Sequence, residues 1–166
     1  MDKEKGGEGA LRRKLTLTVH GRKIVLIKKA QESLEHVLGK ASILAIYGAI
    51  YPETQVEVPA RDRYKPDLLA TDQRGEPVFW AEVGTVKRKK IEQLLRRYPQ
   101  THFVFARHRL DPVPFTKLVR HAVTTVRRDS LGPVEVIGLP PKKGRYITEE
   151  GDFELPREAY TLTRIS

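Results

Sequence analysis

The chain has 166 residues, 39% of them hydrophobic and 31% charged, which is typical of a soluble globular domain with a core of its own. It contains no cysteine, so we expect neither a disulfide nor a thiolate metal site, and this composition is compatible with a cytoplasmic protein. No apolar run approaches roughly 20 residues, so we expect no membrane span or signal peptide, whereas the formal net charge of +10 favours polyanionic partners or, more plainly, a generally basic surface.

The beginning of the chain differs in composition from the rest. Residues 1–10 are charged and rich in glycine, which predicts a disordered tail, and residues 11–166 are expected to form one domain. Alternating residues from Leu15 to His20 and a second run from Lys23 to Ile27 flank a turn at Gly21. This pattern predicts an N-terminal β-hairpin.

A helix is predicted next. Apolar residues at helical spacing run from about Glu32 to Ile50, and Pro52 should end the helix. Glu32 and Glu35 fall near its start, where carboxylates favour the helix dipole, and we assign that role to Glu32. Glu35 lies at the margin of the buried stripe and could lean over a sheet edge toward a site.

A strand and a basic loop lead into the most informative hairpin of the sequence. Alternation predicts the strand from Thr54 to Val58, and the loop Pro59–Lys65 carries Arg61, Arg63 and Lys65. Two apolar runs, PDLLA and PVFWAEV, then flank a polar turn centred between Arg74 and Gly75, which predicts an antiparallel hairpin. That centre places three pairs of residues opposite each other: Thr71 and Val78, Leu69 and Trp80, and Asp67 and Glu82.

The last of these pairs brings two carboxylates together. Directly opposed residues have Cβ atoms roughly 4.5–5.5 Å apart, and like charges at that distance destabilise each other unless a cation lies between them. Hard oxygen ligands suit Mg²⁺ or Mn²⁺. An ordinary hairpin with acids at its solvated end is the plainer interpretation and is slightly favoured on the hairpin alone, since a slip of one residue would separate Asp67 and Glu82 onto opposite faces.

A strongly basic helix is predicted directly after this hairpin. It begins at Thr85, a plausible N-cap, ends near Arg97, and has a narrow apolar stripe at Ile91, Leu94 and Leu95. Its other faces carry Lys87, Arg88, Lys89, Lys90, Arg96 and Arg97. Such a run is usually a solvated face, but here its first turn must lie near Glu82.

The remaining elements complete an α/β pattern. Thr101 to Ala106 predicts a strand parallel to the one that carries Glu82, reached by a right-handed crossover. A helix from Pro112 to Arg127 and a short strand from Val134 to Ile137 follow, and residues from Pro140 to Ser166 are predicted to form a small β appendage. The sequence therefore predicts a mixed central β-sheet flanked by helices, with an N-terminal hairpin and C-terminal strands.

The order of these elements resembles the YaeQ branch of the PD-(D/E)XK nuclease-like superfamily. The matching positions are Glu35 on the early helix, Pro66-Asp67, the run Trp80-Ala81-Glu82-Val83-Gly84, and the basic run Lys87 to Lys90. The resemblance spans roughly Leu15 to Leu162. Each motif is short, so their order and spacing carry the likeness. It implies a restriction-endonuclease-like core.

The resemblance also implies roles for individual residues. Asp67 and Glu82 would bind the metal, the carbonyl of Val83 would be a further ligand, and Glu35 would contact the metal through water. The superfamily's general pattern has lysine two residues after the second acid, and this chain has Gly84 there. Glycine cannot polarise a water, so the following helix would have to supply the amine. Lys87 and Lys90 are the candidates.

The activity that the resemblance implies is Mg²⁺- or Mn²⁺-dependent hydrolysis of phosphodiester bonds in DNA or RNA. The cations that would hold the phosphate backbone are Arg61, Arg63, Lys65, Arg88, Lys89, Arg96 and Arg97. Two other classes stay open. One is a nuclease-fold module that binds nucleic acid without cleaving it, and the other is a protein-interaction adaptor whose charge only keeps it in solution.

Overall fold

The computed structural model describes residues 13–108, 111, 113–127, 132–140 and 146–166. The predicted tail at residues 1–10, Pro112, and residues 141–145 of the predicted appendage lie outside this part of the chain. The helices within it are α1 (Leu34–Tyr47), α2 (Arg88–Arg97) and α3 (Val113–Val126). The strands are β1 (Arg13–Val19), β2 (Arg22–Lys28), β3 (Gln55–Val56), β4 (Leu68–Thr71), β5 (Pro77–Val83), β6 (His102–His108), β7 (Val134–Leu139) and β8 (Thr161–Arg164).

The strands form a hairpin and a larger mixed sheet. Strands β1 and β2 pair antiparallel with each other, and the larger sheet has the order β3-β4-β5-β6-β7-β8. Its central strands β5, β6 and β7 are parallel, and the outer strands on both sides are antiparallel to their neighbours. The predicted α/β fold, with a mixed central sheet and an N-terminal hairpin, is confirmed. No helix in the described residues has both the length and the apolar character to cross a membrane.

The larger sheet has a hydrophobic core on each face. Helix α1 and the β1–β2 hairpin pack on one face with Phe79, Ala81 and Val83 of β5. Helices α2 and α3 pack on the other face with Trp80 of β5. Successive side chains of a strand point to opposite faces, so Glu82 shares the α2 side with Trp80.

Two helix boundaries differ from the prediction. Helix α1 begins at Leu34, because the side chain of Ser33 accepts a hydrogen bond from the backbone N–H of His36, and it ends at Tyr47, well before Pro52. Helix α2 begins at Arg88, so the predicted N-cap at Thr85 is wrong. Val86 is buried in the core instead, and Lys87, whose backbone is extended, takes the N-cap position.

Two strand details also differ. Strand β3 has only two residues, because the next residue, Glu57, has a φ of 55°, in the left-handed region that ends regular pairing. A bulge after Ala70 pairs Thr71 with Pro77 and not with the predicted Val78, while Leu69 lies opposite Trp80 as predicted.

The C-terminal segment contributes to the main sheet. Strand β8 pairs antiparallel with β7 and forms the edge of the larger sheet, so this part does not belong to a separate β appendage as predicted. The preceding residues do form a small β structure, in which Ile147 pairs with Phe153, and Thr18 of β1 pairs with Asp152. The appendage therefore lies against the N-terminal hairpin.

Candidate active site

The two acids of the β4–β5 hairpin lie opposite each other. Leu68 pairs with Ala81, and the backbone N–H of Asp67 donates to the carbonyl of Ala81 at 3.1 Å, so the next residues in register are Asp67 and Glu82. Both lie at the carboxyl end of β5, next to the first turn of α2. The register that the sequence predicts is therefore present at the end of the hairpin that matters for a site.

Asp67 is held as a carboxylate by two neighbours. Its Oδ2 accepts a 2.7 Å hydrogen bond from the backbone N–H of Val83, and its Oδ1 lies 3.3 Å from Nε2 of His36 on α1. Burial would raise the pKa of Asp67, but the hydrogen bonds from His36 and Val83 outweigh it and hold the pKa below its usual value. Asp67 therefore stays ionised in the folded protein.

Glu82 has the opposite electrostatic balance. Its Oε1 accepts hydrogen bonds from Nε1 of Trp80 at 2.9 Å and from Nζ of Lys90 at 2.8 Å. Burial nevertheless raises the pKa of Glu82, and the nearby charge of Asp67 raises it further. Glu82 is 5% exposed. The positive charge at hand does not fully offset the loss of water, so this carboxylate favours additional positive charge.

Of the two lysines considered for the missing motif amine, the structure brings one to the acids. The ammonium of Lys90 contacts Glu82 and also lies 5.2 Å from the centre of the Tyr64 ring. Lys87 occupies the N-cap position of α2 and is exposed, and the contacts of the described residues do not join it to either acid. The geometry favours Lys90.

The acid expected from α1, Glu35, has a histidine as its neighbour. Oε1 of Glu35 lies 3.7 Å from Nδ1 of His108, its side chain is 40% exposed, and the contacts of the described residues do not join it to Asp67. Glu32 precedes α1 and its Oε1 lies 3.4 Å from Nε2 of His36, which in turn contacts Asp67. The role of Glu32 is therefore not limited to the helix dipole, and it is the acid on the Asp67 side.

A buried lysine that the sequence analysis missed binds two carboxylates on this side of the site. Lys40 is 1% exposed, and its Nζ donates to Oε1 of Glu32 at 2.5 Å and to Oε1 of Glu57 at 2.8 Å. Burial would lower the pKa of Lys40, but these two carboxylates raise it, so the ammonium persists. One signal could have revealed it: Lys40 lies on the apolar stripe of α1, between Val37 and Ala41, where a charge requires partners.

The basic loop (Pro59–Lys65) is docked on α2. Asp62 accepts hydrogen bonds from the hydroxyl of Tyr98 at 2.7 Å and from the guanidinium of Arg97. Tyr64 and Arg63 both donate to the side chain of Gln93. The basic loop therefore lies against α2, which carries cations of its own.

The predicted phosphate-binding cations fall into two groups. Arg97 pairs with Asp62, Arg63 bonds to Gln93, and Arg88 pairs with Glu92 at 3.2 Å, so these three are engaged within the protein. The other four are exposed, and no ion pair joins them to any of the residues that the structure describes: Arg61, Lys65, Lys89 and Arg96.

The residues present fit a magnesium-type ion with few protein ligands. Within the described residues, no group of three or more acids or histidines is arranged to hold a metal. Mg²⁺ is typically bound by one or two carboxylates, with waters and substrate oxygens completing its shell. Asp67 and Glu82 offer such hard oxygens, and the raised pKa of Glu82 indicates a site that favours more positive charge. The carbonyl of Val83 is the further donor that the resemblance implies.

The architecture defines a class: an α/β protein whose mixed six-stranded sheet carries paired acids at the carboxyl end of a parallel strand. Two solved structures are similar to it. One is the YaeQ protein from Xanthomonas axonopodis pv. citri, with a TM-score of 0.56 and 17% identity over 79% of this chain and 73% of that chain. The other is the YaeQ protein from Pseudomonas syringae, with a TM-score of 0.53 and 12% identity over 95% of this chain and 90% of that chain.

The expected resemblance to YaeQ proteins is thus confirmed as a shared fold. At these identities the likeness concerns the fold alone. No protein-family model and no curated protein matches the chain. What the site does must therefore be argued from its geometry.

Proposed function

We propose that the protein is a metal-dependent nuclease of the PD-(D/E)XK type, which hydrolyses phosphodiester bonds of DNA or RNA. The observation that carries the proposal is the register of the hairpin, which sets Asp67 opposite Glu82. The Nζ of Lys90 lies 2.8 Å from Glu82 on the same side of the sheet. An acid pair and an amine beside a basic surface are the parts that this chemistry needs.

The roles of the residues follow from their surroundings. When bound, Mg²⁺ or Mn²⁺ would polarise the scissile phosphate and acidify a water. Asp67, whose carboxylate Val83 and His36 hold in place and keep ionised, would be one of the ligands of that ion. Lys90 hydrogen-bonds the attacking water and offsets negative charge that develops on the phosphate oxygens in the transition state. It thereby supplies from α2 the amine that Gly84 cannot supply from the strand.

The exposed cations would hold the nucleic acid. Arg61, Lys65, Lys89 and Arg96 have no competing ion pair among the described residues, so they can contact phosphates without breaking contacts of the protein. Arg63, Arg88 and Arg97 must first give up partners, and we propose that they contribute less. Contacts with phosphates carry no sequence information and weaken with salt.

A second candidate function is a nuclease-fold module that binds nucleic acid without cleaving it. Two observations favour it. Gly84 replaces the motif lysine, and its φ of 97° makes the position unfavourable for a side chain. Lys90 already occupies Oε1 of Glu82. Such a module would bind DNA or RNA in a salt-dependent way, and neither chelation nor Asp67→Asn would change its affinity.

Cleavage of labelled DNA and RNA separates the two candidates. We expect cleavage with Mg²⁺ or Mn²⁺ that EDTA abolishes, and a loss of at least about 100-fold in Asp67→Asn and Glu82→Gln, in line with the removal of one charge-stabilising group. Lys90→Gln should lower the rate more than Lys87→Gln. Glu53→Gln, the same change at an exposed acid between α1 and β3, is the matched control. Equal rates in Asp67→Asn and Glu53→Gln would contradict the nuclease proposal.

A further inference from the structure

A separate cavity of about 290 Å³ lies at the turn end of the β4–β5 hairpin, between the basic loop and the end of α2. Arg61 of the loop, Thr71 and Glu76 of the hairpin, and Tyr98 after α2 all line it. Small-molecule sites in proteins span roughly 300–1,000 Å³, so this cavity is at the small end of the range. Its size suits a single planar ring system.

The cavity contains a cation and an anion that are not paired. Arg61 and Glu76 line it together, yet no ion pair joins them, and within the described residues neither side chain has another hydrogen-bonding partner. The guanidinium of Arg61 instead packs over Gly75, where an added Cβ would lie 3.6 Å from its Cζ. The donors of the guanidinium and the acceptors of the carboxylate are therefore both left for a ligand.

Hydrogen bonds hold in place the part of the basic loop that carries Arg61. The neighbouring residue Asp62 accepts from the backbone N–H of Tyr64 at 2.8 Å and from the hydroxyl of Tyr98 at 2.7 Å. The ring of Tyr98 is stacked on Trp80 with 5.7 Å between ring centres. These contacts within the protein fix the loop beside the cavity, so little ordering is needed when a ligand binds.

The pairing of charges indicates the chemistry of the ligand. The carboxylate of Glu76 would repel a phosphate, so the cavity does not suit the nucleic-acid backbone. A neutral base with two acceptors on one edge and donors on another would satisfy both walls. Guanine has this pattern: its N7 and O6 accept from arginine, and its N1–H and N2–H₂ can donate to a carboxylate. Adenine places a donor beside its N7, where Arg61 also offers only donors.

We propose that this cavity is a guanine-binding subsite that gives the protein a preference for guanine beside the bond it cleaves. Thr71 follows Asp67 by four positions along β4, which at about 3.3 Å per residue separates cavity and acids by ~13 Å. A base in the cavity therefore belongs to a neighbouring nucleotide and not to one that the scissile phosphate joins. The inference rests on the proposal that nucleic acid is the ligand of this face.

The test is equilibrium binding of fluorescent single strands, oligothymidylate for DNA and oligouridylate for RNA, with one central guanine or one central adenine. EDTA is present to prevent cleavage. We expect guanine to be preferred by roughly tenfold, the size of one bidentate base contact. In Arg61→Gln and Glu76→Gln the preference should fall below about twofold, while binding of the unsubstituted oligomer changes little in Glu76→Gln and weakens in Arg61→Gln, which also removes a cation of the basic surface. Trp80, the single tryptophan of the chain, stacks on Tyr98 and should change its fluorescence with the guanine oligomer only.

Matched controls are Arg74→Gln and Glu53→Gln, which remove one exposed charge of each sign outside the cavity and should keep the preference. Binding without a guanine preference, or a preference that survives Arg61→Gln and Glu76→Gln, would overturn the subsite and leave the proposed nuclease intact. Absence of both binding and cleavage for every oligomer would instead contradict the proposed function, and the subsite with it.

Discussion

Two buried acidic clusters lie at opposite ends of the parallel strands, and they differ in how well their charges are satisfied. At the amino end, Oε2 of Glu135 accepts from the hydroxyl of Tyr47 at 2.6 Å and lies 2.8 Å from Nε2 of His102. The other ring nitrogen of His102 lies 3.0 Å from the hydroxyl of Tyr51. The hydrogen bond with His102 lowers the pKa of Glu135 despite its burial.

At the carboxyl end, Asp67 and Glu82 lie close to each other, and their neighbours only partly balance the negative charge of Glu82. The pKa of Glu82 is raised by burial and by Asp67, although Lys90 and Trp80 both donate to it. The comparison shows that similar residue types have opposite electrostatic balances in the two clusters. The groups of the Glu135 cluster satisfy one another, which is expected of a cluster that stabilises the fold, whereas at Glu82 burial and the charge of Asp67 outweigh the hydrogen bonds that it accepts. A carboxylate with a raised pKa beside a second acid is the arrangement on which the proposed cation site depends.

The largest effect on stability is expected at the Glu135 cluster. Glu135→Ala leaves the buried His102 and Tyr47 without their partner, and breaking a buried pair from one side typically costs about 3–5 kcal/mol. Urea unfolding at neutral pH measures the loss. Glu158→Ala, at an exposed position, should change the free energy of unfolding by less than about 0.5 kcal/mol. A similarly small change in Glu135→Ala would show that the cluster does not stabilise the fold.

The stability that Asp67 contributes and the stability that Glu82 contributes should change with pH in opposite directions. Because the pKa of Glu82 is raised above 4.5, the stability it contributes is present below that value and lost as pH rises through the raised folded pKa. Because hydrogen bonds outweigh burial and lower the pKa of Asp67 below 3.8, its contribution is present above that value and lost as pH falls through the lowered folded pKa.

Unfolding free energies of Glu82→Gln and Asp67→Asn across this pH range measure both slopes. Glu82→Gln should cost less than about 1 kcal/mol at pH 8, or stabilise the protein, since it removes a buried charge, whereas Asp67→Asn should lose stability there. If the two variants shifted the pH profile in the same direction, the contrast between the two acids would be wrong. Glu53→Gln, at an exposed acid, should leave the profile unchanged.

The smallest effect concerns the exposed cations. Lys89→Gln and Arg96→Gln should each reduce the salt slope of nucleic-acid binding by about 1, and should weaken binding uniformly across sequences. Lys23→Gln, an exposed cation on the N-terminal hairpin, is the matched control and should leave the slope unchanged. Equal slopes for all three variants would place the binding surface away from α2.

The register of the acids could be predicted from the sequence because both arms of the hairpin have a clear turn and a clear apolar pattern. Leu69 and Trp80 pair as the turn predicts, and the acids follow from that pairing. The bulge at Thr71 was missed because it changes no apolar position. Apolar periodicity therefore predicts the residue pairing at the end of the hairpin that carries the acids, but not at the turn.

The partners of the acids could not be predicted in the same way. Lys40 contacts Glu57, which adopts a left-handed backbone conformation that no sequence pattern signals at a glutamate. Glu32 and Glu35 are separated in sequence by less than one helical turn. Because α1 begins at Leu34, Glu32 precedes the helix and is the acid that lies beside His36. The pairing of β8 with β7 joins segments that are distant in sequence, so local alternation could not reveal it.

Diffraction from crystals soaked in Mn²⁺, with its anomalous signal recorded, tests the central claim most directly. The account predicts an anomalous peak about 2.1 Å from a carboxylate oxygen of both Asp67 and Glu82, with the ammonium of Lys90 displaced from the oxygen of Glu82 that it contacts at 2.8 Å. Crystals without a peak at the acids, in which Lys90 keeps its contact with Glu82, would contradict it.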